Sequence, residues 1–197
     1  MGLILASGSP RRRQLLEQIG LTFVVRSSDV DESVSPGLTP AQVVESLSAR
    51  KGEAVAAEAA PGDLVLSADT VVALDGAILG KPRDRAEAEA MLTALSGRTH
   101  QVYTGVTLLQ DGRRLTGHEV TAVTFRPLSP EEIAAYVSTG EPMDKAGAYG
   151  IQGLGALLVE RLEGDYFNVM GLPLCRLGEM LAQFGVRPLE AAGLRRE

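Results

Sequence analysis

The sequence predicts a mixed α/β fold in which one β-sheet is flanked by helices. Short apolar runs rich in β-branched residues alternate with helical patterns through the first half of the chain, as in sheets whose strands are connected by helices. Two long alternating segments then follow, 99–109 and 115–125, and they predict an antiparallel pair joined around Asp111-Gly112. Hydrophobic residues make up 45% of the 197-residue chain, which is enough for a sizeable core.

The first half of the chain carries strand and helix signals in turn. The pattern predicts a strand at 3–6, a helix at 11–19, a strand at 22–27, a helix from 40 to about 59 and a strand at 64–74. Both helices follow a hydroxyl side chain and a proline, Ser9-Pro10 and Thr39-Pro40, which together favour a helix start. An Asp75-Gly76 hairpin then leads into a short strand at 77–79.

The second half adds helices around the antiparallel pair. Its predicted elements are a helix at 84–95, a helix from about 130 to 139, a strand at 156–162, an extended piece at 167–170 and a final helix that ends at 184. Glycines crowd the stretch 140–155, so we expect a loop that approaches something closely. We expect one domain over residues 1–186 and a frayed C-terminal tail over residues 187–197.

Asp69 interrupts the most apolar strand of the sequence, Leu64–Leu74. A charge inside such a strand costs several kcal/mol unless it is paired, binds a metal or opens onto a cleft. One interpretation is that Asp69 ends the strand and caps a turn. Because Val71, Val72 and Leu74 resume the strand pattern, we favour a bulge that aims a reactive carboxylate into a cleft.

The junction between the first strand and the first helix has the features of an anion site. Backbone N–H groups and the helix dipole favour negative charge at such a helix start. Arg11, Arg12 and Arg13 lie in the first turn, where they oppose the dipole but are well placed to meet an anionic ligand. The alternative is a solvated basic turn.

The remaining polar outliers fit a polyphosphate held with a divalent cation. They are five cations, two carboxylates and one amide from separate segments, namely Arg11, Arg12, Glu32, Lys51, Asp69, Lys81, Lys145 and Gln152. Lysine and arginine bind phosphate oxygens, and Asp31 or Glu32 could join Asp69 in holding a hard cation. A solvated helix surface is the simpler interpretation of Lys51.

Composition argues against several other classes of protein. A net charge of −6 disfavours a stable nucleic-acid complex. Cys175 is the only cysteine, so no internal disulfide forms, which suits the reducing cytoplasm. His100 and His118 lie in predicted strands without a nucleophile motif or zinc ligands, and we expect structural roles for them. We expect no signal peptide and no membrane span.

Five motifs together resemble the Maf family of nucleoside triphosphate pyrophosphatases. They are Ala6-Ser-Gly-Ser-Pro-Arg-Arg12, Asp31-Glu32, Ser67-Ala-Asp-Thr-Val71, Leu79-Gly-Lys-Pro82 and Lys145-Ala-Gly-Ala-Tyr-Gly-Ile-Gln-Gly153. The resemblance runs from about Leu3 to about Leu181 in the order of the family's motifs. It implies cleavage between the α- and β-phosphates, a divalent cation (magnesium or manganese), and a bent mixed sheet with two lobes around a cleft, as in the inosine triphosphate pyrophosphatases.

The resemblance also implies roles for individual residues. Asp69 matches the general base and, with Glu32, the carboxylates near the metal. The positions tied to the choice of base are Arg11, Thr70 and Gln152, and those tied to phosphate or substrate binding are Ser7, Arg12, Lys51, Lys81 and Lys145. The Ala-Tyr-Gly-Ile-Gln form of the loop looks like the branch that acts on dTTP and UTP, whereas a sister branch acts on 7-methyl-GTP.

Two functions of different classes are compatible with this resemblance. One is a house-cleaning enzyme that hydrolyses pyrimidine triphosphates, including modified ones. The other is a nucleotide-binding regulator of cell division or septum formation that does not turn its ligand over. Asp69 favours the enzyme, because a sensor does not need a general base. The family often forms dimers, so the resemblance also implies a homodimer.

Overall fold

A computed structural model describes residues 2–27, 29–33 and 35–193, and within them one sheet is flanked by helices. The strands are β1 (Leu3–Leu5), β2 (Val24–Val25), β3 (Leu64–Leu74), β4 (Ala77–Leu79), β5 (Thr99–Gln110), β6 (Arg113–Phe125) and β7 (Val159–Glu163). The α-helices are α1 (Pro10–Gln18), α2 (Pro40–Ala56), α3 (Arg85–Leu95), α4 (Pro130–Ser138), α5 (Tyr166–Met170), α6 (Leu174–Ala182) and α7 (Pro188–Gly193). Short 3₁₀ helices occupy Glu141–Asp144, Ala146–Ala148 and Gly153–Leu158.

The sheet is mixed, as the sequence predicts. Its order is β2-β1-β3-β5-β6-β7, and β4 pairs with β3 outside that path. β1 runs parallel to both β2 and β3, whereas β3, β5, β6 and β7 pair antiparallel. The mixed α/β fold class is therefore confirmed. No helix in the described part of the chain has the length and apolar character that crossing a bilayer requires.

Two Asp-Gly turns fix the register of the long antiparallel strands. Asp75 and Gly76 have φ angles of 51° and 79°, and Asp111 and Gly112 have 48° and 80°. Left-handed backbone at both central residues is the signature of the tight turn whose twist matches that of the flanking strands. Both predicted hairpins are confirmed, β3–β4 and β5–β6.

Two apolar clusters share the central strands. One packs α1 and α6 against the sheet and includes Leu66 and Leu108. The other packs α3 and α4 and includes Val72 and Val102. β3 and β5 contribute to both clusters, so the two halves of the domain are built on the same strands.

Several predicted elements differ in extent or type. The strand predicted at 22–27 is only Val24–Val25, and the first part of the strand predicted at 156–162 is a 3₁₀ helix. The extended piece predicted at 167–170 is wrong, because this segment is α5: the Asp165 carboxylate accepts a hydrogen bond from the Phe167 N–H at 2.7 Å and caps that helix. Part of the predicted tail forms α7, and residues 194–197 lie outside the described residues.

Candidate active site

Asp69 lies in the middle of β3 without any bulge. It pairs with Gly105 of β5 in a ladder that continues without a break from Val65 to Ala73. The predicted bulge is therefore wrong. Side chains alternate between the two faces of a strand, and Asp69 shares its face with Val65 and Val71, which pack against α2. The strand itself, together with α2, aims this carboxylate.

Lys51 of α2 joins two carboxylates. Its Nζ lies 2.6 Å from Asp69 Oδ1 and 2.7 Å from Glu32 Oε1. The Asp69 side chain is only 11% exposed, so this cation supplies the pairing that a nearly buried charge requires. The hydrogen bond from Lys51 is the main reason that the pKa of Glu32 lies below its ordinary value. Lys51 is therefore part of the site and not of a solvated helix surface.

Glycine allows α2 to approach the sheet closely enough for this ion pair. A Cβ atom on Gly105 would lie 2.2 Å from the Val44 carbonyl oxygen of α2. A Cβ atom on Gly52 would lie 2.6 Å from Ser67 Oγ, and that hydroxyl donates a hydrogen bond of 2.6 Å to the Ser48 carbonyl. Sequence reasoning missed Gly105, although a glycine inside a strand pattern is a signal of close backbone approach.

Arg12 organises the opposite side of Asp69. Its guanidinium donates three hydrogen bonds: to the Gly171 carbonyl at 2.8 Å, to Ser7 Oγ at 3.2 Å and to Thr70 Oγ1 at 3.0 Å. Burial lowers the pKa of Arg12, and the nearby charge of Asp69 opposes that shift. The planar fork thus joins two of the predicted site segments, those of Ser7 and Thr70, to Gly171 around a fixed positive charge.

A chain of polar groups holds the Thr70 hydroxyl from behind. Thr70 Oγ1 lies 2.9 Å from Thr104 Oγ1, and Thr104 donates to the Asn168 carbonyl at 3.0 Å. The Asn168 side chain in turn donates to Thr121 Oγ1 at 2.9 Å. Sequence reasoning missed Thr104, Thr121 and Asn168, because threonine is ordinary in a strand and the α5 segment was predicted to be extended.

Arg12, Lys51, Asp69 and Thr70 line a cleft of about 870 Å³. The start of α1 opens onto it through Gly8, Ser9, Pro10 and Arg11, as the predicted anion site requires. The predicted residues that line the cleft are Ser7, Arg11, Arg12, Glu32, Lys51, Asp69, Thr70, Lys81 and Lys145. A cleft of this size with cations on several sides suits a nucleotide.

Gln152 is the one predicted site residue outside that lining. The cleft wall includes its neighbour Ile151 as well as Tyr149, while Gln152 itself is exposed. Lys145 is tethered nearby, because its Nζ donates to the Glu141 carbonyl and to Asp144 Oδ1, both at 2.7 Å. The structure thus places Lys145 in the site and Gln152 beside it.

Glu32 and Asp69 suit a cation whose other ligands come from the substrate. Asp31 is engaged in its own turn, where its carboxylate accepts hydrogen bonds from the Ser33 N–H at 2.8 Å and from the Ser33 hydroxyl at 2.6 Å. Glu32 is the neighbour that turns to Lys51 and Asp69. Among the described residues no group of three or more acidic, histidine or cysteine side chains forms a metal cage. Two converging carboxylates fit magnesium, which takes its other oxygens from phosphate and water.

The histidines lie outside the cleft lining. His100 is buried, with its Nε2 2.8 Å from the Tyr149 hydroxyl and its ring edge-on to Phe125. Burial lowers the pKa of His100 to about 4. His118 pairs with Glu45 at 2.7 Å. These contacts agree with the structural roles expected for both.

Comparison with known proteins finds relatives that match almost the whole chain. The model of the Maf family, described as Maf-like protein, matches residues 2–184. A dTTP/UTP pyrophosphatase of Symbiobacterium thermophilum is 58% identical over 183 residues, 93% of this chain and 94% of that protein. A dTTP/UTP pyrophosphatase of Moorella thermoacetica is 59% identical over 186 residues, 93% and 95% of the two chains.

Among solved structures, the Ham1 protein of Staphylococcus aureus is similar over 64% of this chain and 72% of that chain, with 17% identity and a TM-score of 0.45. The family match and the two curated relatives, by contrast, extend over almost the whole chain. The family match includes every residue that lines the cleft, from Ser7 to Gly171. The chain therefore belongs to the Maf family.

Proposed function

We propose that this chain hydrolyses dTTP and UTP to the nucleoside monophosphate and pyrophosphate. The observation that carries the proposal is a nearly buried carboxylate, Asp69, held by Lys51 in a cleft lined with further cations. A binding protein has no need of such a costly charge at the centre of its pocket. The relatives named dTTP/UTP pyrophosphatase support the choice of substrate.

In the proposed reaction a water molecule attacks the α-phosphorus. Asp69 accepts a proton from that water, and the new bond forms between the water oxygen and the α-phosphorus. The bond from the α-phosphorus to the oxygen that bridges it to the β-phosphorus breaks, and pyrophosphate leaves with that oxygen. Arg12, Lys51, Lys81 and Lys145 hold the phosphate oxygens and stabilise the charge that gathers on the leaving group.

Glu32 and Asp69 would hold a magnesium or manganese ion during this reaction. Their support is the donor set itself, two carboxylates that converge beside a cleft of cations. A bound divalent ion would neutralise negative charge on the triphosphate. Removal of divalent ions with a chelator is expected to stop turnover without unfolding the chain, because the two carboxylates are already paired with Lys51.

Arg11, Thr70 and Gln152 are proposed to select the base. Arg11 and Thr70 line the cleft, and Gln152 follows the cleft-lining Ile151. An amide carries both a donor and an acceptor, which match one edge of uracil or thymine. Thr70 contributes a hydroxyl that Arg12 and Thr104 hold in place.

A nucleotide panel with added magnesium or manganese tests the function. Pyrophosphate and monophosphate from dTTP and UTP, with little from CTP or 7-methyl-GTP, are the expected products. Pyrophosphate from 7-methyl-GTP instead would retain the reaction and overturn the choice of base. Orthophosphate, or no turnover by folded protein that binds nucleotide, would overturn the enzymatic function and favour a regulator.

We further propose a single catalytic domain over residues 1–186 and a cytoplasmic location, where nucleoside triphosphates are made and used. All the proposed site residues lie between Ser7 and Gln152, well inside that domain. The exposed Cys175 suits a reducing compartment. The homodimer stays a prediction, to be checked by the mass of the protein in solution.

A further inference from the structure

The loop 145–155 forms one wall of the cleft but has little regular structure to hold it. It contributes Lys145, Tyr149 and Ile151 to the cleft. Gly147 and Gly153 within it have φ angles of 68° and 75°. Glycine-rich backbone has much conformational entropy to lose on ordering. A defined wall therefore needs specific ties.

One carboxylate outside the cleft supplies two of these ties. Glu141 Oε1 accepts a hydrogen bond from the Gly155 N–H at 2.9 Å, and Oε2 accepts one from the Leu154 N–H at 3.0 Å. The backbone carbonyl of Glu141 accepts from Lys145 Nζ at 2.7 Å. The same residue thus holds the beginning and the end of the loop.

Tyr136 of α4 adds a contact to the middle of the loop, and Glu141 and Tyr136 together are called the clamp. Its hydroxyl donates to Glu141 Oε1 at 2.9 Å and accepts from the Gly150 N–H at 3.3 Å. A Cβ atom on Gly155 would lie 2.2 Å from the Gly150 carbonyl oxygen, and one on Gly153 would lie 2.8 Å from Glu141 Oε2. A side chain at Gly153 or Gly155 would therefore clash, and glycine at these positions lets the loop fit against itself and against the Glu141 carboxylate.

The contacts of Glu141 favour its ionised form. Burial raises the pKa of this carboxyl, but hydrogen bonds from Gly155, Leu154 and Tyr136 outweigh it, and the pKa lies below its ordinary value. A charged acceptor that receives several N–H and O–H donors makes stronger hydrogen bonds than a neutral one. The clamp is therefore built on a charge.

We propose that Glu141, with Tyr136 behind it, is a positioning residue for substrate binding. It lies outside the cleft lining, so it acts through the loop and not through contact with the nucleotide. By holding Lys145, Gly150, Leu154 and Gly155 it sets where Lys145 meets the phosphates and where Gln152 meets the base. This inference rests on the proposed function of the cleft.

Glu141→Gln tests the proposal with little change in volume. The amide turns an N–H₂ group toward one backbone N–H, so that loop tie is lost. We expect KM for UTP and dTTP to rise about tenfold, as the loss of one charge-assisted hydrogen bond predicts, with kcat changed less than about threefold. The preference for UTP over CTP should fall as well. Glu89→Gln, an exposed change on α3, should leave all these values as in the wild type.

Amide hydrogen exchange provides a readout that does not depend on activity. Exchange at Leu154 and Gly155 should become about tenfold faster in Glu141→Gln and stay at the wild-type rate in Glu89→Gln. Tyr136→Phe keeps the buried ring and removes only the hydroxyl, so it should speed exchange at Gly150 and raise KM in the same direction. This second variant keeps the test available if Glu141→Gln folds poorly.

The outcomes that overturn the proposal differ from those that overturn the function. Wild-type exchange at Leu154 and Gly155 in Glu141→Gln would show that the carboxylate does not hold the loop. Faster exchange with unchanged KM and base preference would show that the loop's position does not matter to substrate. A wild-type protein without turnover would instead overturn the proposed function, and the exchange rates would still decide whether the clamp exists.

Discussion

At the scale of single residues, Asp69 is the proposed general base, and the variant Asp69→Asn tests that role. Asp69→Asn keeps the size and polarity of the side chain but cannot accept a proton. Turnover of UTP should fall by about 10²- to 10⁴-fold, the usual contribution of a general base. The matched control is Glu160→Gln on the exposed face of β7, which should keep wild-type turnover.

Fold and binding are measured on the same variant. Circular dichroism and the thermal shift produced by UTP without magnesium should remain close to those of the wild type, because the cations of the cleft are unchanged. The further shift on adding magnesium should fall, because Asp69 is also a proposed ligand of that ion. Turnover by Asp69→Asn at the wild-type rate would show that another group accepts the proton.

Gln152 raises a separate question, because it lies beside the cleft lining. Gln152→Ala should reduce the preference for UTP over CTP by about tenfold, as the loss of a hydrogen bond to the base predicts. The fall in kcat on each nucleotide should be smaller. Leu157→Ala, a 67% exposed position in the 3₁₀ helix that follows Gln152, serves as the control. An equal loss on every nucleotide would contradict a role in base selection.

Protonation of His100 should make the free energy of unfolding depend on pH. Its pKa is lowered by burial from 6.5 to about 4, so the unfolded chain takes up the proton at a higher pH than the folded one. The stabilisation that follows from this difference in pKa is fully present above pH 6.5 and is lost as the pH falls to about 4. The difference between the two pKa values corresponds to roughly 3 kcal/mol in the free energy of unfolding.

Urea denaturation between pH 7 and pH 4 measures this effect. The free energy of unfolding should fall more steeply with acid in the wild type than in His100→Gln, which has no titrating ring at this position. Equal slopes in wild type and His100→Gln would contradict the assignment.

At the scale of elements, the approach of α2 to β5 sets the distance between Lys51 and Asp69. Gly105→Ala would place a Cβ atom 2.2 Å from the Val44 carbonyl, so the helix must move away from the sheet. We expect a loss of about 1–3 kcal/mol in stability and a fall in kcat/KM, since α2 carries Lys51. Urea denaturation and UTP hydrolysis measure the two effects.

Gly117→Ala is the matched control, on the neighbouring strand β6. A Cβ atom there would lie 3.5 Å from Arg176 Nη1, an ordinary contact at the end of a flexible side chain. This variant should keep the activity of the wild type. Full activity and full stability in Gly105→Ala would show that the close approach is not needed.

The elements also show what the sequence could and could not predict. Helices α2 and α4 were predictable because each begins with a hydroxyl residue and a proline, and the hydroxyl residue forms a capping box with the residue three positions later. α5 was not, because Tyr-Phe-Asn-Val-Met has the composition of a strand and only the Asp165 cap makes it helical. Local signals predict an element well when the element is stabilised locally.

The same distinction applies to the site. Asp69 and Lys81 were predictable because a charge inside an apolar strand or in a tight turn is unusual. The sequence around Lys51 also allows a solvated helix surface, and its pairing with Asp69 is visible only in the structure. Thr104, Asn168 and Glu141 have ordinary surroundings in the sequence, and their roles come from contacts between distant segments. Thr104 and Asn168, for instance, are 64 positions apart along the chain.

At the scale of the whole molecule, the cleft lies where the two apolar clusters meet. β3 contributes Leu64, Leu66 and Ala68 to one cluster and Val72 and Leu74 to the other. Asp69 lies between these two sets along the strand, with its side chain on the opposite face. The strand that bears the proposed base therefore joins the two clusters. Both clusters should therefore unfold in one transition.

Leu177→Ala tests this coupling from one side. Leu177 is a fully buried residue of α6 in the first cluster, and its truncation should cost about 2–5 kcal/mol. If unfolding is a single transition, amide exchange at Val72 and Leu74 should lose the same protection as exchange at Leu64 and Leu66, because all four sit on one cooperative strand. Leu189→Ala, at a 91% exposed position of α7, should change neither pair. A loss confined to Leu64 and Leu66 would mean that the clusters unfold separately and that the cleft can open without global unfolding.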